Sequence, residues 1–178
     1  MEWTTRINGW ETLDAKGHDA LLEGAKSGLD VLGSLAEATV QDLIRTPFGD
    51  KPPAVASGNL ASSIMHETDI DQGMLRLLVG VSPRLGADQY ADAVEDGSRP
   101  HMPPYDALDA WVLLKFHPDT EEQAREIANG VLRKIYYHGT KPHHMFERAL
   151  PEVEKNAVPV LEKQIAQAFL RAGFGVAA

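Results

Sequence analysis

With seven histidines and no cysteine in 178 residues, imidazole is the side chain most able to do chemistry in this chain. His138, His143 and His144 lie close together, and His101 and His117 are candidates to join them in space. Neutral imidazole binds zinc, and carboxylates are plentiful. The spacing argues the other way. His138-x4-His143-His144 is no zincin pattern, adjacent His143 and His144 point apart on almost any backbone, and His-Glu-x2-His is absent. The favoured reading is turn or interface histidines with no metal.

Other chemistries have less behind them. No Gly-x-Ser-x-Gly elbow surrounds a serine, and Ser57, Ser62 and Ser63 read as helix-cap and surface residues. Asp92, Glu95 and Asp96 are paired carboxylates of the kind acid–base catalysis uses, but they read better as a solvated acidic turn. Asp69 and Asp71 with Gln72-Gly73 lack the spacing and closing Glu of a calcium loop. Gly28 to Gly33 follows no strand, which removes a dinucleotide site. No catalytic residue and no cofactor is expected.

Composition narrows the partners. The formal net charge is -9, and such a surface repels nucleic acid and anionic membranes unless a basic patch is segregated. The basic cluster of Arg133, Lys134 and Lys141 is thin and reads as solvated helix-end charge. No apolar run approaches the roughly 20 residues of a membrane helix. The opening Met1-Glu2-Trp3-Thr4-Thr5-Arg6 has no signal-peptide character, so a cytoplasmic site of synthesis is expected. Length and a 43% hydrophobic content fit one domain over residues 1–178.

The elements that must position these residues follow from periodicity. Residues 2–8 favour a short strand, with Asn8-Gly9 as its turn. Leu21, Leu22, Ala25, Leu29, Leu32, Leu35, Ala36, Thr39 and Leu43 recur at steps of three and four, predicting a long helix from about Thr12 to Arg45 that Thr46-Pro47 ends. Gly17, Gly24, Gly28 and Gly33 lie inside it and each costs about 1 kcal/mol. The favoured consequence is a helix with breaks held by packing; the other is a helix that orders on docking. Residues 46–57 read as a flexible Pro/Gly loop. Ser57 is expected to cap a short helix through Ile64. Strands follow at Met65–Ile70 and Met74–Val81, the second mostly buried, then a short helix over Ala87–Glu95 closed by Gly97.

A helical insertion is expected over 100–127, with Leu108, Trp111, Val112 and Leu114 on the apolar face of Asp106–Phe116. Thr120, with Glu122 and Gln123 in the first turn, suits the capped start of a helix to about Tyr137, stopped by Gly139. A turn from Pro142 to Leu150 and a last helix over Glu152–Ala172 complete the chain. Of the adjacent Tyr136 and Tyr137, one is free to anchor an interface.

Five short blocks stand out in order. They are Thr5-Arg6-Ile7-Asn8-Gly9-Trp10; Ser57-Gly58-Asn59-Leu60 with Ser63-Ile64; Val79-Gly80-Val81; Tyr90-Ala91 with Val94-Glu95-x-Gly97-Ser98-Arg99; and Gly139-Thr140-Lys141-Pro142 with Met145-Phe146 and Ala149-Leu150. Their order and spacing resemble the HK97 gp10-like and minor tail protein Z family of tailed phages. Ser98 stands where that pattern more often has Thr, His143-His144-Met145-Phe146 is an unusual closing turn, and the 100–127 insertion looks more like the protein Z branch.

The resemblance implies an α+β fold, a long N-terminal helix and C-terminal helices packed on a small antiparallel sheet. It implies a non-enzymatic virion protein of the head–tail neck that completes the tail and joins it to the head connector. Such a protein is assembled in the host cytoplasm as part of a ring, between the tail tube or tail terminator and the head–tail connector. DNA passes through the lumen without specific binding, which suits an acidic chain. Exposure and chemistry then single out Arg99, Lys141, Phe146, Phe48 and Lys51 as interface residues. The alternatives are a tail terminator, a head–tail adaptor, or a metal hydrolase built on the histidines.

Overall fold

The computed structural model describes residues 2–4, 13–49, 54, 58–71 and 74–175. In chain order the elements are β1 (Glu2–Thr4), α1 (Ala15–Arg45), α2 (Asn59–Ser63), β2 (Ile64–Asp71), β3 (Met74–Val81), a 3-10 turn (Pro83–Leu85), α3 (Asp88–Glu95), α4 (Tyr105–Phe116), α5 (Glu121–His138) and α6 (Met145–Arg171). The fold is α+β, with long first and last helices and one small antiparallel sheet of order β1-β3-β2. The strand expected over 2–8 is seen as Glu2–Thr4, with Glu2 opposite Leu78 and Thr4 opposite Arg76. Thr5 to Thr12, Lys51 and the expected cap Ser57 lie outside the described residues; Gly58 stands at the N-cap of α2, without a side-chain cap bond.

The chain divides into two compact units. The first comprises 1–39, 65–80 and 149–178; the second comprises 40–64 and 81–148.

In the first unit α1 is continuous, where breaks at its glycines were expected. The reason is close approach. A Cβ on Gly24 would stand 2.6 Å from the Ile165 Cα, and one on Gly28 would stand 2.8 Å from Leu161 Cδ2, so α6 lies against α1 where side chains are missing. Ser27 Oγ donates to Gln164 Oε1 at 3.2 Å along the same seam. Gly33 leaves room for the His66 ring of β2. Packing thus offsets the propensity cost of glycine in the helix.

Leu21, Ala25, Leu29, Leu32 and Ala36 form the buried stripe of this part of α1, while Leu22 is exposed. Beyond it the buried positions are Val40 and Ile44, not Thr39 and Leu43. α1 meets the sheet through polar contacts at its edge. The His66 backbone N–H donates to Glu37 Oε1 at 2.7 Å, and Thr68 Oγ1 donates to Asp30 Oδ1 at 2.6 Å. β3 was expected to be mostly buried; instead it alternates, with Leu77 and Val79 inside and Met74 and Leu78 exposed. Arg76 joins Asp69 of β2 across the open face at 3.7 Å.

α6 corrects a second expectation. A turn was expected from Pro142 to Leu150, yet the helix begins at Met145 and runs through Pro151 and Pro159. Both prolines are exposed, and Met145, Ala149 and Val153 are buried at four-residue steps. That buried stripe outweighs the one backbone bond each proline removes.

In the second unit α4 and α5 form a hairpin around Leu108, Val112, Ala124 and Ala128, with Trp111, Ile127, Val131 and Leu132 packed beside them. Thr120 caps α5 as expected: its hydroxyl accepts from the Gln123 N–H at 3.2 Å, and Gln123 Oε1 accepts from the Asp119 N–H at 3.0 Å. Tyr136 and Tyr137 are both exposed and pack edge to face at 4.9 Å.

Candidate interface site

Residues 93–99 and 139–148 form a clasp within the second unit. A helix ends with carbonyls that no later turn satisfies. At the end of α3 those carbonyls are taken by the segment that starts α6. Thr140 Oγ1 donates to Ala93 O at 3.4 Å, the His143 N–H donates to Val94 O at 2.7 Å, and the His144 N–H donates to Glu95 O at 3.1 Å. The reverse debt, the unpaired N–H groups at the start of α6, falls to the Glu95 carboxylate. It accepts from the Phe146 N–H at 3.0 Å and the Glu147 N–H at 3.2 Å. One carboxylate therefore caps a helix 51 positions further along the chain, with its charge on the favourable end of the dipole.

Between these contacts Ser98 and Thr140 form an isolated antiparallel bridge. Each backbone N–H donates to the other's carbonyl at 3.1 Å. Ser98 Oγ also accepts from the Thr140 N–H at 3.1 Å, and the Ser98 and Thr140 hydroxyl oxygens lie in hydrogen-bond contact at 3.0 Å. The flanking glycines make this approach feasible. Gly97 has φ 76 and Gly139 has φ 69, values that L side chains seldom adopt. A Cβ on Gly97 would lie 2.5 Å from Thr140 O, and one on Gly139 would overlap Ser98 O.

The residues singled out from sequence are brought together unevenly. Arg99 and Lys141 are exposed on the two strands of the clasp, and Phe146 is half-buried in the first turn of α6. Phe48 is linked to the same region, because the Arg148 guanidinium stacks over its ring at 4.1 Å and donates to His143 O at 3.4 Å. Lys51 lies outside the described residues. Glu95 was read as part of a solvated acidic turn. Asp92 and Asp96 are exposed, but Glu95 is half-buried and bonded, which corrects that reading for this residue. Nothing local marks Glu95 as a cap, since its partners lie in a different part of the sequence.

The arrangement suits holding more than reacting. Ser98 Oγ and His101 Nδ1 are 3.4 Å apart, but Nδ1 lies nearer to Arg99 O, at 2.9 Å. A nitrogen that donates to a carbonyl cannot accept a serine proton. The His144 ring pairs with Glu147 at 3.0 Å, one residue before α6. Among the described residues no three His, Asp or Glu side chains gather to hold a metal. Partial burial raises the Tyr90 hydroxyl above its ordinary 10.0 and lowers the Lys115 ammonium below its ordinary 10.5, in both cases by desolvation.

The chain matches no protein-family model, no curated protein and no solved structure. Among the described residues no helix is long and apolar enough to cross a membrane.

Proposed function

We propose that this protein is a structural component of a tailed-phage particle. It sits at the head–tail neck, completes the tail and joins it to the head connector within a ring. The observation that carries this reading is the clasp. Two of the five blocks of the family-like pattern, Val94-Glu95-x-Gly97-Ser98-Arg99 and Gly139-Thr140-Lys141-Pro142, bond to each other across 42 positions.

The clasp fixes the backbone on both sides of Arg99 and Lys141, so two cations leave a rigid base on an otherwise acidic protein. Rigid presentation lowers the entropy lost when a partner docks. A heterologous contact, in which this patch meets a different patch on the neighbour, closes rings. DNA threads such a ring without specific contact, because a net charge of -9 disfavours phosphate binding.

Electron microscopy of a lysate from the parent phage or prophage with this gene deleted tests the reading. Filled heads beside separate tails of normal length are the expected result. Abnormally long tails assign a terminator role instead, and intact infectious particles overturn the structural reading. Complementation with Arg99→Glu/Lys141→Glu is expected to leave the joining defect uncorrected while the variant remains folded.

A further inference from the structure

Glycine inside a helix is the least favourable residue short of proline, and in α1 each such glycine faces a neighbour in its own chain. Gly130 does not. It lies in the interior of the 18-residue helix α5, is exposed, and has open space where a Cβ would stand. Nothing within the described chain accounts for a glycine there.

Its surroundings are ordered along the helix. Gln123, Glu126, Gly130, Arg133, Lys134 and Tyr137 follow one another at steps of three and four, so they share one flank, and all are exposed. The flank is acidic before Gly130, with Glu122 beside Glu126, and basic after it. Two copies laid antiparallel and crossing at Gly130 bring Glu126 of each opposite Arg133 and Lys134 of the other, and Gln123 opposite Tyr137. A parallel arrangement sets like charges against each other.

We propose that two copies of this chain pair antiparallel through α5, with the backbones in close approach at Gly130. The absent side chains let the helices meet closely, and the charge polarity sets their direction. This pairing goes beyond the neck reading and does not depend on it. A two-fold contact is closed at two copies, whereas a ring needs a heterologous one.

Sedimentation velocity of the full chain across micromolar concentrations tests the proposal. The wild type is expected to dimerise and Gly130→Leu to be monomeric. Glu122→Lys/Glu126→Lys makes the flank wholly basic, and Arg133→Glu/Lys134→Glu makes it wholly acidic. Each alone is expected to weaken pairing by about tenfold, and an equimolar mixture is expected to restore it as a heterodimer. Circular dichroism establishes that the variants are folded. A wild type that stays monomeric throughout overturns the proposal. So does a dimer indifferent to all three variants, or a mixture that fails to recover.

Discussion

Gly24 and Gly28 of α1 keep an ordinary helical backbone and matter for the room they leave beside Ile165 and Leu161, whereas Gly97 and Gly139 in the clasp supply room and a positive φ together. The contacts they permit also differ. In the first unit a helix meets a helix, and part of what a new Cβ meets is the movable end of Leu161. In the clasp a backbone meets carbonyl oxygens already bonded on the other strand. Side chains can repack to absorb a small intrusion, but a paired backbone has little freedom to do so. The clasp is thus the less tolerant contact.

The largest expected effect is therefore at Gly139. Gly139→Ala has to adopt a glycine-favoured conformation and push into Ser98 O. Together these should cost roughly 3 kcal/mol or more in urea unfolding. A change below 1 kcal/mol would show that the clasp opens easily and would remove the contrast between the units. Gly24→Ala comes next. Overpacking against Ile165 should cost about 2 to 3 kcal/mol, offset by about 1 kcal/mol of better helix propensity, leaving a net loss of roughly 1 to 2 kcal/mol. Stabilisation by Gly24→Ala would mean that α6 does not lie close at that point.

Glu95→Ala probes the clasp without touching a glycine. It removes the acceptor for two backbone donors at the start of α6. A lost helix cap costs about 1 kcal/mol, and more where the donors are partly shielded from water. Hydrogen exchange should quicken at Phe146 and Glu147 before it does elsewhere in α6. Uniform acceleration along the helix would mean that the carboxylate contributes nothing local.

Much of the α+β architecture was legible because it is written in short-range periodicity. The stripe from Leu21 to Ala36 gives α1, Met74–Val81 gives a strand, and Thr120 with Gln123 gives a helix start. The readings that failed needed information from elsewhere in the chain. Breaks were expected in α1 because the glycines were weighed by propensity, while Ile165 and Leu161 lie more than 130 residues away. Pro151 hid the start of α6 because the buried spacing of Met145, Ala149 and Val153 crosses it. The candidate site shows the same limit. Arg99 and Lys141 could be chosen as exposed cations in named blocks, but the contact between those blocks could not be inferred. Glu95 carries no sign that it caps a helix 51 positions later.

Gly130 gives the smallest effect and the sharpest contrast, because its substitution should have the opposite sign to that at Gly24. A Cβ there meets nothing in its own chain. Below the dimerisation range Gly130→Ala should therefore stabilise the subunit by about 1 kcal/mol through helix propensity alone. As concentration rises, the wild type gains stability from pairing, since a partner that binds only the folded state shifts unfolding by mass action. If the glycine is there for a second copy, the advantage of Gly130→Ala should shrink with protein concentration. An advantage that stays constant would make Gly130 a mere weak point in α5. A loss at every concentration would place an unrecognised neighbour over the open side of the helix.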